Sequence, residues 1–313
     1  MRARAAGLLL GYTADRLLGD PPRFHPVAGF GTTATALEHR LYADSRARGV
    51  AHTALLVGGA VALGVVVDRR GPWGAAVTAV ATWAVLGGRS LEREALAVHA
   101  HLAAHDLPAA RQRLTHLVGR DTADLDESEV ARAVIESVAE NTSDAVVAPL
   151  VWGALCGVPG LLGHRAVNTL DAMVGHHNPR YESFGWASAR LDDLANLPGS
   201  RLSGLLTLAA APTRAGVAAR TWRRDAAAHP SPNGGVVESA FAGALGIRLG
   251  GTNTYDGDRI EHRPVLGGGR AAHPDDIARS TVLARRIGLG AALTAVVISL
   301  RGPLSRRPRR PLG

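Results

Sequence analysis

Two eighteen-residue stretches without a charge, 50–67 (VAHTALLVGGAVALGVVV) and 71–88 (GPWGAAVTAVATWAVLGG), flank the short charged turn Asp68-Arg69-Arg70. A bilayer core about 30 Å thick is crossed by about 20 apolar helical residues, so the pair reads as a membrane helical hairpin. The competing reading is a soluble protein that buries Ala-rich helices, and the low mean hydropathy of +0.06 leans that way. Paired uncharged runs around a short charged turn are uncommon in soluble folds, which favours the membrane. A third run, 145–163 (AVVAPLVWGALCGVPGLLG), is interrupted by Pro149 and Pro159 and is expected as two half-helices or a re-entrant segment. Further apolar stretches lie at 5–14, near 202–218 and at 287–300. The expected fold is all-α: a multi-pass helical integral membrane protein, one domain over 1–313, with polar helical and loop segments between the spans. Arg301, Arg306, Arg307, Arg309 and Arg310 follow the last run and would hold the C-terminus in the cytoplasm. The first apolar stretch is cut by Asp15 and Arg16 with no clear cleavage site behind it, so it does not read as a signal peptide.

Composition excludes several chemistries. All 35 basic residues are arginine. Without lysine there is no Schiff base to pyridoxal phosphate or to an aldol substrate, and no Walker A loop. One cysteine, Cys156, cannot supply a disulfide, a CxxC pair or a thiolate zinc site. The net charge of +8 would tolerate a polyanion, but aromatics are only 4% and acids are mixed among the arginines, so nucleic acid is not an expected partner.

The segment 89–144 is charged with a helical period. Asp126 and Glu129 form a capping-box signal, and Val130, Val134 and Val138 follow as a core stripe. Farther on, Glu136, Glu140 and Asp144 recur every four residues and would share one face of a continuous helix. Such a stripe suits a hard divalent ion, with Glu136, Glu140 and Asp144 as candidate Mg²⁺ ligands, or it is a solvated acidic face paired with Arg132. In 165–202, Asn168 with Asp171 and Asp192 with Asn196 can each share a helix face, interleaved with Arg165, Arg180 and Arg190. That mixture suits a metal-bound polyphosphate, and equally suits helix ion pairs such as Arg190 with Asp193. The segment HPSPNGGVVE from His229 to Glu238 is a turn leading into a short helix; Ser231, Asn233 and the two glycines would expose N–H groups to an anion, or simply cap the helix. GDPPRFHP, from Gly19 to Pro26, is a rigid turn carrying His25, and His176-His177 falls in no strong zinc spacing. The stretch 225–285, rich in Gly, Pro, Asn and His, reads as loop with short helices.

GDPPRFHPV (19–27), ESVAENTSDAVVAPL (136–150), RAVNTLDAMVG followed by RYESFGWASARLDDLANLPGSRL, and HPSPNGGVVESAFAGALGIRLGG (229–251) closely resemble the adenosylcobinamide-phosphate synthase family, CobD/CbiB, in order and spacing from about residue 7 to about 300. The sequence departs from the family pattern at Ala172, where Ser is common, at His176, where Tyr is common, and at Val236-Val237, where Trp-Pro is frequent; its first apolar run is also short. The resemblance implies a multi-pass cell-membrane enzyme with its active site facing the cytoplasm. It would use ATP and Mg²⁺ to join the carboxylate of adenosylcobyric acid, a corrinoid, to aminopropanol phosphate, free aminopropanol or an ethanolamine derivative. On that expectation Glu140, Asp144, Asp171 and Asp192 form the catalytic pool. Arg165, Arg180, Arg190, Asn141, Asn168, Asn233, Glu238 and His25 would hold substrate and phosphate. The alternative is a membrane corrinoid-binding or transport protein without ligase activity, which would carry its acids inside the spans.

Overall fold

The computed structural model describes residues 1–20, 26–69, 71–176, 178–255 and 259–301. Along the chain these form α1 (Arg2–Leu18), α2 (Pro26–Leu41), α3 (Arg46–Val67), α4 (Gly71–Val85), α5 (Gly88–Ala103), α6 (Leu107–Leu114) and α7 (Glu127–Thr142). A π-helical turn, Ser143–Val147, leads into α8 (Ala148–Cys156), α9 (Val158–Val174), α10 (Trp186–Ala210), α11 (Ala215–Asp225) and α12 (Gly234–Leu245). An antiparallel hairpin of β1 (Leu249–Tyr255) and β2 (Arg259–Leu266) precedes the long α13 (Pro274–Arg301). The fold is all-α apart from this hairpin.

The α5–α7 region is built as a water-soluble protein is. The Asp126 carboxylate accepts from Glu129 N at 2.8 Å while the Glu129 carboxylate accepts from Asp126 N at 3.0 Å, closing the capping box. Val130, Val134 and Val138 then turn fully inward, against Ala95, Val98 and Leu102 of α5. Some charge pairs stay outside, as in Arg113 with Glu94 at 2.7 Å, while Glu92 and Glu136 are buried against arginines.

The packing of α1 on α4 follows another rule. Gly7 and Gly11, a GxxxG pair, lie directly against Thr78 and Thr82, so that a Cβ at either glycine would overlap a threonine. The outward faces carry Leu9, Leu10, Leu17, Trp73 and Val80, all exposed. In α3, Leu55, Leu63, Val65 and Val66 are exposed, and only 22% of its most apolar eighteen-residue window is buried. The corresponding window of α13 is 39% buried, with Leu289, Leu293, Val297 and Leu300 facing outward. Among the described residues, α3 and α13 are the two helices both long and apolar enough to cross a membrane.

Several sequence expectations are redrawn. The run 71–88 is not one helix: α4 ends at Val85 and α5 starts at Gly88. The run 145–163 does fall into two helices as expected, but the break is at Gly157, whose φ of 71° favours glycine, and Pro149 and Pro159 instead sit in the first turns of α8 and α9. Residues 202–218 do not form one helix, because Pro212 ends α10 and opens a single 3₁₀ turn before α11. The segment 225–285 is more ordered than a loop: it holds α12, the hairpin and the first turns of α13. The hairpin escaped period-2 reading because Gly250 and Gly251, at φ 80° and 103°, sit at a register shift near the start of β1.

Candidate active site

The acids of the sequence expectation come from four helical elements. Glu140 closes the last turn of α7, Asp144 stands on the π turn, Asp171 lies near the end of α9 and Asp192 in the second turn of α10. The π turn breaks the regular four-residue stripe at its third member, and such turns concentrate at functional sites. Asp144 nevertheless faces the other three. Burial first, then the charges of Asp192, Glu140 and Asp171, hold its carboxyl well above the usual range, against a hydrogen bond from Ser143. Asp192 is pushed up to about 7 by burial and by the charge of Asp171, opposed by hydrogen bonds from Asn196 and Asn168. Those amides donate to it at 2.9 and 3.4 Å, and Asn196 in turn meets His164 Nε2 at 2.8 Å, which fixes the carboxylate's direction.

Arg165 on α9 is the cation of this cluster. It senses Asp20 and Asp144, and its Nε is buried without a hydrogen-bond partner. Beside it an apolar cavity of about 390 Å³ opens between α2, α3, α4 and α9, with Phe30, Leu55, Leu63 and Ala166 in its wall.

Glu140 also belongs to a second group, with His229 and Glu238, in which one ligand atom from each residue lies within 4.8 Å of the others. Glu238 sits at the centre of α12, a helix whose every residue is buried. Burial, followed by the charge of Glu238, raises the Glu140 carboxyl; burial and the charge of Glu136 raise that of Glu238. Burial likewise lowers His229. Gly234, at the start of α12, is pressed onto this group: a Cβ there would come 2.8 Å from His229 Cε1 and 3.0 Å from Glu140 Oε1.

Other expected site residues serve elsewhere. Glu136 accepts from Arg120 at 2.6 Å, from Arg132 at 3.5 Å and from Gly250 N at 2.8 Å, so its oxygens clasp the hairpin to α7 while its charge still reaches Glu238 and His229. Arg180 donates to Glu38 at 2.9 Å and lies 4.2 Å over the Tyr42 ring, outside the acid cluster. Arg190 is 67% exposed and 3.6 Å from Asp193. Asn141 donates to Ser137 O at 3.0 Å within its own helix. Asn233 is consumed by Ser200, Arg201 and the Asp193 carbonyl, each at 2.8 Å, and so ties the 229–233 loop to α10. The Ser231 hydroxyl accepts from Asn233 N and Gly234 N at 3.2 and 3.0 Å, which makes this turn a helix cap. His25 lies outside the described residues. The turn carrying His229 stands out in the sequence but gives the histidine no role there; the usable signal is a histidine close to an acid stranded in an apolar helix.

Comparison with known proteins places the chain in a family. Residues 8–284 match the family model described as CobD/Cbib protein. The chain is 49% identical over 312 residues to the cobalamin biosynthesis protein CobD of Mycobacterium tuberculosis, covering 98% of each chain. It is 41% identical over 308 residues to the protein of that name from Rhodobacter capsulatus, covering 95% of this chain and 98% of the relative. A Geobacter metallireducens protein of the same name is 46% identical over 282 residues, covering 85% of this chain and 87% of the relative. No solved structure matches the chain.

Proposed function

Because the chain belongs to the CobD/Cbib family of cobalamin biosynthesis, we propose that it is the ligase that joins adenosylcobyric acid to aminopropanol phosphate or aminopropanol, giving adenosylcobinamide phosphate or its unphosphorylated counterpart at the expense of ATP. The observation that carries the reading is the convergence of Asp144, Asp171 and Asp192 with Arg165, a half-buried cation whose Nε is buried without a hydrogen-bond partner.

A carboxylate does not condense with an amine in water at useful rates. Transfer of the γ-phosphoryl group of ATP to the corrinoid carboxylate releases ADP and leaves an acyl phosphate. The neutral amine then attacks that carbonyl, phosphate leaves, and the surplus ammonium proton passes to a base. The donor set suits the magnesium nucleotide: Asp144 and Asp171 would hold Mg²⁺, which neutralises phosphate charge, and Arg165 would donate to phosphate oxygens. Asn168 and Asn196 orient Asp192, which lies near enough to neutrality to take the amine proton.

The same reading puts the protein in the cell membrane as a multi-pass enzyme. It is supported by the exposed leucines and valines of α1, α3, α4 and α13 and by the Gly–Thr contact between α1 and α4. The arginines from 301 onward favour a cytoplasmic C-terminus and a site on the ATP side.

The test uses protein purified in detergent with adenosylcobyric acid, aminopropanol phosphate and Mg-ATP, following the corrinoid by mass spectrometry. Product formed only with ATP supports the proposal, and ethanolamine phosphate then probes amine choice. Bound corrinoid without product under all amines favours the binding or transport alternative.

A further inference from the structure

Glu238 is a carboxylate at the centre of a fully buried helix. Both of its oxygens and His229 Nε2 are buried without a hydrogen-bond partner. An isolated carboxylate in such surroundings costs several kcal/mol, so an acid is kept there only when something positive meets it. The nearby arginines are largely committed: Arg120 and Arg132 hold Glu136, and Arg263 donates to Glu261 at 3.2 Å. Arg263 and, at Glu238, Arg120 do add positive potential to the group, yet burial still raises both carboxyls, so these arginines do not offset the cost of desolvating them.

The spacing fits a metal ion. His229 Nε2 lies 3.3 Å from a Glu238 oxygen. Two ligands each about 2.1 Å from a tetrahedral cation are about 3.4 Å apart. On the other side of the ring, Nδ1 lies 3.2 Å from the Ser231 carbonyl oxygen, the arrangement in which a ligating histidine donates its second N–H to backbone and turns its other lone pair to the metal. Glu140 is partly exposed and supplies a third oxygen at the side open to solvent. The bare Cα of Gly234 leaves room where a side chain would press on both His229 and Glu140.

We propose that Glu140, His229 and Glu238 form a resident site for a divalent cation of the transition series, Zn²⁺ or Mn²⁺, with coordination left open toward Glu140. One imidazole nitrogen and two carboxylates suit these ions better than Mg²⁺, which takes oxygen ligands and retains its waters. The site joins the end of α7 to the start of α12, and so ties the acid cluster to the 229–238 turn. The rival arrangement has no metal: Ser231 N donates to Nδ1 at 3.1 Å, Nε2–H points to Glu238, and the two carboxylates share a proton.

The experiment needs neither ATP nor corrinoid, so its result is independent of the ligation assay. Full-length protein with a histidine-free tag is stripped with EDTA in detergent and incubated with Zn²⁺ or Mn²⁺ against excess Mg²⁺. Metal per chain is measured after gel filtration, and the melting temperature is followed by tryptophan fluorescence. The wild type is expected to retain about one equivalent and to melt higher when loaded. Glu238→Gln and His229→Gln are expected to weaken binding by more than about tenfold, since losing even an outer hydrogen-bond partner costs about 10–100-fold. Equal uptake by wild type and Glu238→Gln, or a wild type that binds nothing and melts unchanged, overturns the site and favours the shared proton. Should the variants misfold, Mn²⁺-loaded wild type decides by pulsed electron paramagnetic resonance. Coupling to one ¹⁴N nucleus supports His229 as ligand, and an all-oxygen signal overturns it.

Discussion

Helices α7 and α10 lie in one molecule and bury opposite kinds of residue. On α7 the inward stripe is Val130, Val134 and Val138, and the first turn shows Glu127 and Glu129 to solvent. On α10 the buried positions are Asp192, Asn196, Ser200, Ser203 and Thr207, while Leu191, Leu194 and Leu205 are exposed. Both stripes repeat at three or four residues, so periodicity alone finds a face and does not say which face turns inward. Apolar burial drives α7 as it does in water. On the proposed membrane reading α10 packs by another rule, since within a bilayer there is no such drive between helices and small residues, hydroxyls and amides form the contacts. The difference separates the apolar stripe of α7, packed as scaffold with α5 and α6, from a polar interior that α10 lines and that Glu140 at the end of α7 also reaches.

The variant that would break this comparison most sharply is Asp144→Asn. Ligation is expected to fall by about 10²–10⁴-fold with the protein folded and membrane-bound, the range for loss of a positioned acid–base or charged group. Turnover within a few-fold of wild type would remove Asp144 from the site. Next, Ile135→Ala in the α7 scaffold should cost about 2–5 kcal/mol through its cavity. Ser203→Ala on α10 should cost only about 1 kcal/mol, the worth of its hydrogen bond to Gly199 O. Melting in detergent compares the two, and equal losses would mean that α10 packs as α7 does. Gly11→Val drives a side chain into Thr82 and should cost about 1–3 kcal/mol by overpacking; an unchanged melting temperature would show that α1 and α4 do not approach as described.

Asp192 sharpens the same contrast through pH. Its carboxyl is raised to about 7, so the proton-accepting form is lost as pH falls through that value. The ligation rate should drop about tenfold per unit below it, with Asp192→Asn slow at every pH. A flat profile in the wild type over about one pH unit on either side of that value would take Asp192 out of the proton transfer. The smallest effect is expected at Arg190→Ala, whose exposed pair with Asp193 is worth roughly 0.2–1 kcal/mol. A large loss of ligation there would restore a phosphate role to Arg190.

Much of the site could be read from spacing. Asp126 and Glu129 form their capping box, and Asp144, Asp171 and Asp192 meet although 48 residues separate the first from the last. Assignments failed where a charged group had two partners of similar reach. Glu136 shares the four-residue period of Glu140 yet turns to Arg120, and Arg180, interleaved with the acids in sequence, is drawn to Glu38. Such choices depend on which element packs alongside, and Arg120 and Glu38 lie far from Glu140 and from the 165–202 acids in sequence. The hairpin went unread because glycines at positive φ replace the alternation that marks a strand.

The sequence by itself determined the helical class, the apolar runs, the capping signal and the family, because each is written in neighbouring residues or in blocks of fixed order. Only the tertiary structure decided which of two similar acids is neutralised by arginine and which is left facing a histidine. It also decided that α10 turns its serines inward and its leucines outward. Local periodicity fixes which side chains share a face, whereas burial and charge pairing depend on what the rest of the chain brings against that face.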